Sequence, residues 1–236
     1  MSGLPPRGLV IAVDGPAASG KGTLAKRLAA HYGLPHLDTG LLYRMVARAM
    51  IEAGENLRDA AAAERVVSAF DESAFSEDVL RGREIGEAAS VVAAMPAVRA
   101  GLIARQRRFA GQESGAVLDG RDIGTVICPE ATAKLFVTAT PEVRAARRQK
   151  ELAGRGEPAS FDAILDDIRR RDARDSGRSD APLRAADDAV ILDTSALTIP
   201  EALAAAIGIV ERRRGDARRE EARMADAAKS GGGFSP

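Results

Sequence analysis

The feature that most constrains the fold is an apolar run that leads directly into a glycine-rich loop and a helical pattern. Leu9–Asp14 has the composition of a buried strand, and the segment Gly15–Thr23 follows it without a gap. Helical spacing then continues as far as Gly33, a suitable residue to end a helix. A strand, a glycine loop and a helix in this order predict a phosphate-binding P-loop.

The composition of this loop suits an anion. Gly15 and Gly20 let backbone N–H groups turn towards one phosphate, to which the helix N-terminus adds partial positive charge, and Lys21 reaches the outer phosphates. Gly22 separates the lysine from Thr23, whereas the usual pattern has Ser or Thr directly after the lysine as a magnesium ligand. This ending resembles that of nucleoside monophosphate kinases. We therefore expect Mg²⁺ to be bound with the nucleotide and water, without a protein metal site.

Composition limits the classes of function. With 236 residues and 45% hydrophobic content, the chain fits one α/β domain with insertions or two small domains. Aromatic residues reach only 3%, which argues against a stacking surface for nucleic acid polymers. Lys+Arg and Asp+Glu both number 34, so no overall field attracts DNA or a membrane. The single Cys128 and the lack of a long apolar segment lead us to expect a cytoplasmic monomer.

Strand-like runs alternate with helical patterns along the chain. The alternation predicts an α/β fold of the P-loop NTPase type, with a parallel sheet of about five strands flanked by helices. Ligands of such sheets bind at the carboxyl ends of the strands. The predicted strands are Leu9–Asp14, a run around 35–37, Ala116–Asp119, Lys134–Thr138 and Ala189–Asp193, and they end at or near Asp14, Asp38, Asp119, Thr138 and Asp193.

Two regions interrupt this alternation and divide the chain. Residues 1–55 and 112–210 form the predicted kinase-like core, and 56–111 form a helical insertion for a second substrate, with Pro96 at the start of its last helix. Within the core, 141–180 contain two Arg-rich helical segments that predict a mobile lid. Residues 211–236 predict a charged helical extension that ends in a disordered tail.

Two further segments predict sites in the same cleft. Asp38 or Thr39 would cap a helix that has Tyr43 and Arg44 one turn inside it, which suits a second phosphate; an ordinary cap with a surface arginine is the alternative. The second segment begins with Asp119, which resembles a Walker-B carboxylate that orients magnesium or its water. Arg121 and Asp122 follow, and they place opposite charges in the cleft; the alternative is that the two form only a local ion pair.

The predicted lid carries repeated charges with the spacing of one helical face, at Arg171, Arg174, Asp175 and Arg178. Asp166 and Asp167 lie four residues before Arg170 and Arg171, so part of this run fits a solvated helix. Three arginines that face one way repel unless an anion lies between them. Polyphosphate is a fitting anion.

Taken together, these motifs resemble the bacterial cytidylate (CMP) kinases over the chain up to about Val210. The resemblance implies ATP-dependent phosphorylation of CMP and dCMP in pyrimidine metabolism. One departure is a short segment from Asp71 to Arg83, where family members carry a longer arm. The segments that carry the resemblance are Gly15–Thr23, Leu37–Arg44, Ala88–Ala93, Asp119–Val126 and Arg171–Arg178.

The resemblance also implies a role for each candidate residue. ATP would be held by Gly15, Pro16, Ala17, Ala18, Ser19, Gly20, Lys21, Gly22 and Thr23. The acceptor phosphate would bind Thr39, Tyr43, Arg44 and Arg121, and cytosine would be read by Ser90, Arg99 and Asp122. Sugar and phosphates would contact Arg171, Asp175 and Arg178, and the catalytic set would be Lys21, Arg121, Arg171 and Arg178.

Two alternatives remain at the level of the sequence. One is a kinase with a different small acceptor, such as UMP or AMP. The other is a nucleotide-switch protein that hydrolyses GTP, although the chain has no Asn-Lys-x-Asp segment to read guanine and such a protein has no use for an Arg-rich lid.

Overall fold

A computed structural model describes residues 8–69, 75–80 and 82–230, and its centre is one parallel sheet. The strand order is β2-β3-β1-β4-β5, so the strand that feeds the glycine loop lies in the middle. Every predicted strand is confirmed to within two residues. The strands are β1 Leu9–Asp14, β2 His36–Asp38, β3 Gly115–Gly120, β4 Ala133–Thr138 and β5 Val190–Asp193.

Eight α-helices lie in the described ranges, together with a 3-10 helix at Glu77–Leu80 and a π-helical turn at Ile123–Ile127. The helices of the first half are α1 Lys21–Tyr32, α2 Thr39–Glu52, α3 Ala60–Ser68, α4 Arg83–Val92 and α5 Pro96–Ala110. Those of the second half are α6 Pro141–Gly154, α7 Phe161–Ser176 and α8 Ile199–Ser230.

Local sequence explains where several helices begin and end. Thr140 and Ser160 each accept a backbone N–H at the starts of α6 and α7, the usual service of a hydroxyl at an N-cap. Pro96 begins α5, as predicted, because proline has no N–H to leave unpaired in the first turn. Gly33 ends α1 with a left-handed φ of 63°, and its N–H bonds to the carbonyl of Ala29.

Helices cover both faces of the sheet. On one face, α1 and α8 pack on the central strands through buried side chains such as Ile11, Leu28, Leu135 and Val210. On the other, α5 and the π-helical turn pack on residues that include Val10, Leu118, Ile123 and Ala110. Strands buried on both faces read as continuous apolar runs, which is why they could be found in the sequence.

The insertion does not close a core by itself. Its helices α3, α4 and α5 pack on α2, and this second core contains Leu42, Val46, Met50, Val92 and Leu102. Helix α2 therefore connects the insertion to the end of β2. A smaller cluster joins α6 to α7 through Ala145, Leu152, Ile164 and Ile168.

Two predictions concern the C-terminal ends of α7 and α8. Helix α7 ends at Ser176, so Arg178 lies beyond it and not on its face as the spacing predicted. The helical extension after Val210 is present, since α8 continues to Ser230; the predicted disorder of the tail falls on 231–236, outside the described residues. Part of the short segment from Asp71 to Arg83 lies outside them too.

Within the described ranges, no single helix combines the length and apolar character needed to cross a membrane. Among these helices, only α4 and α5 taken together have enough length and apolar composition, and the two are bent by 99° relative to each other.

The packing of α1 predicts a stability effect. Leu28 is fully buried between the sheet and α8, so Leu28→Ala should lower the free energy of unfolding by about 2–5 kcal/mol. Ile191 is 64% exposed, and Ile191→Ala should stay within about 0.5 kcal/mol of the wild type. Urea denaturation of both variants measures the difference, and equal midpoints would contradict this assignment of the core.

Candidate active site

The loop between β1 and α1 requires glycine at two positions, one because of close approach and one because of its backbone conformation. A Cβ on Gly15 would lie 2.0 Å from the carbonyl oxygen of Val137. Gly20 takes a left-handed φ of 88° at the N-cap of α1. The loop thus lies against the end of β4, and the N-terminus of α1 opens towards the cleft as a P-loop requires.

Two residues hold this loop through hydrogen bonds to its backbone, and the sequence analysis did not find them. Thr194, just after β5, donates its hydroxyl to the carbonyl of Ser19 at 3.0 Å. Arg147 on α6 donates to the same carbonyl at 3.2 Å and to the backbone oxygen of Thr194 at 2.7 Å. Both residues line the cleft. The only sequence signal for them was the position of Thr194 at a strand end.

Arg144 makes a second link between the loop and the predicted lid. It is 3% exposed, and it donates to the carbonyl oxygens of Ala139 at 2.9 Å and Ala17 at 3.3 Å. Its other donors bind both carboxylate oxygens of Asp172 on α7, one residue after Arg171. This fork fixes α7 relative to the loop, and nothing in the spacing of the sequence predicted it.

Lys21 lies at the junction of loop and helix, where it was predicted. Its Nζ donates to the carbonyl of Pro16 at 3.3 Å. Burial, followed by the positive charge of Arg121, lowers the pKa of Lys21 to about 7, although Asp119 and Asp38 oppose the change. A neighbouring anion would restore the charged form.

Three guanidinium groups approach Lys21 from other parts of the chain. Burial and the neighbouring Arg121 lower the pKa of Arg171 to about 9, and burial lowers the pKa of Arg44 to about 10. A Cβ on Gly86 would lie 3.4 Å from Arg44 Nη2 and 3.7 Å from Arg171 Nη1, so both groups meet at this glycine of α4. The cluster favours an anion as its ligand, because its cations repel one another in a partly buried place.

The other lid arginines are paired, which corrects part of the prediction. Arg178 bonds to Asp175, and Arg174 reaches Glu87 on α4 at 2.6 Å. Their charges are therefore balanced by carboxylates. Each of the three arginines still has one buried nitrogen without a hydrogen-bond partner among the described residues, namely Nε of Arg171, Nη1 of Arg174 and Nε of Arg178.

Asp167 also differs from the prediction. It pairs with Arg170 three residues on, and with Arg83 across the gap to α4, and not with Arg171 four residues on. Arg83 and Glu87 thus tie the insertion to the lid from one face of α4.

Asp175 connects the cleft to the residues predicted to contact sugar and base. Its carboxylate accepts from Arg121 Nε at 2.9 Å, from Arg178, and from the Ser90 hydroxyl at 3.5 Å. Burial would raise the pKa of this carboxyl, but Arg121 and Arg178 outweigh burial and lower it. The residue is 1% exposed and remains an anion in the interior.

Two of the three predicted base-reading residues, Arg99 and Asp122, meet in a buried network, whereas Ser90 bonds to Asp175. Arg99 forms an ion pair with Asp122, and it lies 3.4 Å from the Tyr43 hydroxyl and 3.3 Å from Asp180. The local pair Arg121–Asp122 considered at the sequence level does not form, because each partner binds another residue. Asp180 was missed, since it lies in a loop without a recognisable pattern.

The start of α2 differs in detail from its prediction. Asp38 takes the N-cap position without a capping side-chain bond. The Thr39 hydroxyl donates to the carbonyl of Asp119 at 2.8 Å, and Asp119 Oδ1 lies 2.7 Å from His36 Nε2. Thr39 therefore ties α2 to the end of β3, and Asp119 has a histidine partner that the Walker-B comparison did not include.

One cleft of about 1240 Å³ collects the donor side of the predicted site. The predicted residues that line it are Ala17, Ala18, Ser19, Gly20, Lys21, Gly22, Thr23, Arg44, Arg121 and Arg171. The others lie beneath its surface or beside it: Gly15, Pro16, Thr39, Tyr43, Ser90, Arg99, Asp122, Asp175 and Arg178. Most of the residues predicted to bind ATP thus line an open cleft, whereas those predicted to read the base are buried.

Comparisons with known proteins identify the family of this chain. The family model described as "Cytidylate kinase" matches residues 11–212. A cytidylate kinase of Xanthobacter autotrophicus is 63% identical over 206 residues, which cover 87% of this chain and 99% of that protein. One of Azorhizobium caulinodans is 62% identical over 207 residues, which cover 88% and 100%.

Among solved structures, a gluconokinase from Sinorhizobium meliloti 1021 aligns with a TM-score of 0.51 over 91% of this chain and 98% of that one. The identity is 14%, so this likeness concerns the fold alone.

The lowered pKa of Lys21 predicts proton uptake when ATP binds. At pH 8 the free amine is mostly neutral, and phosphates beside it should return its pKa towards 10.5, so binding should take up as much as one proton per ATP. Calorimetry in two buffers of different ionisation enthalpy measures this number. Lys21→Met should reduce the uptake towards zero, and a wild-type value near zero would contradict the neutral amine.

Proposed function

Because the chain belongs to the cytidylate kinase family, we infer that it transfers the γ-phosphoryl group of ATP to CMP. The observation in the structure that supports this most strongly is the meeting of Lys21 with Arg44, Arg121 and Arg171 beside the P-loop. A site for two phosphorylated molecules needs this excess of positive charge. We propose that dCMP is a second acceptor.

The chemistry of the acceptor sets the task of the site. The second pKa of a phosphate monoester is about 6, so CMP is largely dianionic near neutral pH and needs no general base. The barrier comes from bringing two anions into line. The N–H groups of the P-loop, Lys21 and the arginines offset that repulsion, and they act most strongly on charge that moves during transfer.

We propose a division of labour among the cations. Lys21 and the loop N–H groups hold the donor phosphates. Arg44, with the start of α2 behind it, holds the acceptor phosphate. Arg121 and Arg171 lie between the two and stabilise the transferred group, with Arg178 beside them through their shared neighbour Asp175.

Magnesium belongs to the nucleotide in this proposal. No cluster of three or more His, Cys, Asp or Glu residues that could hold a metal occurs within the described part of the chain. Mg²⁺ keeps several waters and binds through phosphates with few protein oxygens, and Asp119 at this edge of the sheet would orient the ion or its water. The ion would neutralise donor phosphate charge when bound.

Cytosine recognition is assigned to the buried network. Asp122 would accept from the amino group of cytosine, and Arg99 and Ser90 would donate to the acceptors of the ring. The present pairing of Arg99 with Asp122 and of Ser90 with Asp175 closes this region, so the base can enter only when the insertion and the lid move apart. Such closure also keeps water from the phosphoryl group.

We also propose that the protein acts as a cytoplasmic monomer. Burial raises the pKa of the Cys128 thiol to about 12, so this cysteine is unreactive and offers no disulfide to link two chains.

The acceptor assignment is tested by one coupled assay of ADP release. ATP is combined in turn with CMP, dCMP, UMP, AMP and GMP. We expect CMP to have the highest kcat/KM, with dCMP next. A preference for UMP or AMP would move the protein to another acceptor class, and slow hydrolysis of GTP without any acceptor would favour a switch protein.

Lys21→Ala should lower kcat by roughly a hundredfold or more, because its charge acts mainly on the transferred phosphoryl group. Steady-state kinetics with thermal melting measures the effect. Lys150→Ala, which removes an exposed lysine of α6, is the matched control and should keep near-normal turnover. Near-normal turnover of a folded Lys21→Ala protein would remove Lys21 from the phosphate site.

Asp122→Asn should narrow the preference for CMP over UMP by roughly tenfold or more, since an amide can donate to the carbonyl oxygen at position 4 of uracil. The measurement is the ratio of kcat/KM for the two acceptors. Asp187→Asn changes an exposed carboxylate and should leave the ratio as it is. An unchanged ratio in Asp122→Asn would mean that another residue reads the base.

A further inference from the structure

A buried carboxylate at the end of β1 has no role in the reaction derived so far. The preceding residues of the strand are apolar, whereas Asp14 is only 5% exposed and directly precedes Gly15 of the P-loop. A carboxylate costs far more to bury than an aliphatic side chain unless it is fully hydrogen-bonded. Its partners therefore indicate what it does.

Both oxygens of Asp14 bind one short segment of backbone. Oδ1 accepts the N–H of Ile123 at 2.8 Å, and Oδ2 accepts the N–H of Gly124 at 2.7 Å. These are the first two residues of the π-helical turn Ile123–Ile127. Such turns interrupt regular helix and occur often at functional sites.

The residue that would normally cap this turn is Asp122. It occupies the N-cap position, where an aspartate side chain commonly accepts the N–H of the second or third residue, here Gly124 or Thr125. Asp122 makes no such bond here, and its carboxylate pairs with Arg99 instead. Asp14 thus performs the capping, and Asp122 is left available for the base-reading network.

The contact is also close in space. A Cβ on Gly124 would lie 3.4 Å from Asp14 Oδ2 and 3.2 Å from Lys134 Cδ, so the turn lies tightly against the carboxylate and β4. The position of Asp122 is therefore set by a residue of the strand that carries the P-loop.

We propose that Asp14 is a positioning residue for acceptor selection: by capping the π-helical turn, it frees Asp122 and holds it, with Arg99, at the place where cytosine is read. The proposal rests on the proposed function and extends it. It connects the donor loop and the acceptor site through one side chain.

The test is Asp14→Asn, measured with CMP and UMP as acceptors. An amide accepts with its oxygen only, so one of the two N–H groups loses its partner and the turn shifts. We expect the CMP-to-UMP ratio of kcat/KM to fall by roughly fivefold or more, mainly through a higher KM for CMP, with the KM for ATP within about twofold of the wild type.

Controls separate positioning from general damage. Asp193→Asn alters another strand-end aspartate, one that accepts the N–H and hydroxyl of Ser195, and it should leave the acceptor ratio unchanged. In an Asp122→Asn background, Asp14→Asn should have no further effect on the ratio, because it acts through Asp122. If Asp14→Asn does not fold, Gly124→Ala is the second variant, because its added methyl group crowds the same contact. It should also lower the CMP-to-UMP ratio of kcat/KM.

The outcomes distinguish this inference from the proposed function. A wild-type preference for CMP that survives in Asp14→Asn, or a fall in kcat that is equal for both acceptors, overturns the positioning role alone. A wild-type protein without CMP kinase activity overturns the proposed function and this inference with it.

Discussion

Repulsion among partly buried cations is the constraint on which the rest of this structure depends. Lys21, Arg44, Arg121 and Arg171 come from four separate segments and meet beside the P-loop, where burial lowers the pKa values of Lys21, Arg44 and Arg171. In a low-dielectric cleft, such a group is stable only if the fold holds it in place and supplies counter-charges nearby. The same repulsion favours polyphosphate as a ligand, because its negative charge offsets the repulsion among the cations.

Buried carboxylates organise the surroundings of this cationic cluster. Asp175 holds Arg121 and Arg178, and Asp172 holds Arg144 behind the loop. Asp14 caps the turn that carries Asp122, which pairs with Arg99. Each carboxylate joins parts of the chain far apart in sequence. Positive charge is therefore concentrated at the cleft beside the P-loop, while the neighbouring arginines are paired with carboxylates and fixed.

Connections between the insertion and the lid follow from the same pairings. Arg83 and Glu87 on α4 bind Asp167 and Arg174 on α7, and Ser90 reaches Asp175 at the same face. Exposed ion pairs of this kind are each worth only about 0–1 kcal/mol, so they can hold a closed arrangement without preventing its opening. The buried network of Arg99 and Asp122 can admit a base, as we propose, only if the closure has that modest strength.

Sequence alone determined the sheet, the P-loop and the main helices, because apolar strands, glycine loops and caps are local patterns read within a few residues. It also predicted that Lys21 and Arg44 lie in one cleft, and both line it in the folded chain. It could not determine which carboxylate each arginine binds. Helical spacing placed Arg178 on α7 and left the lid arginines unpaired. In the structure, Arg178 forms an ion pair with Asp175, and Arg174 forms one with Glu87. The bracing of the loop by Arg144 and Thr194, and the capping by Asp14, were decided only by tertiary structure. Ion pairs and buried hydrogen bonds join residues that only the folded chain brings within 3 Å or so of one another.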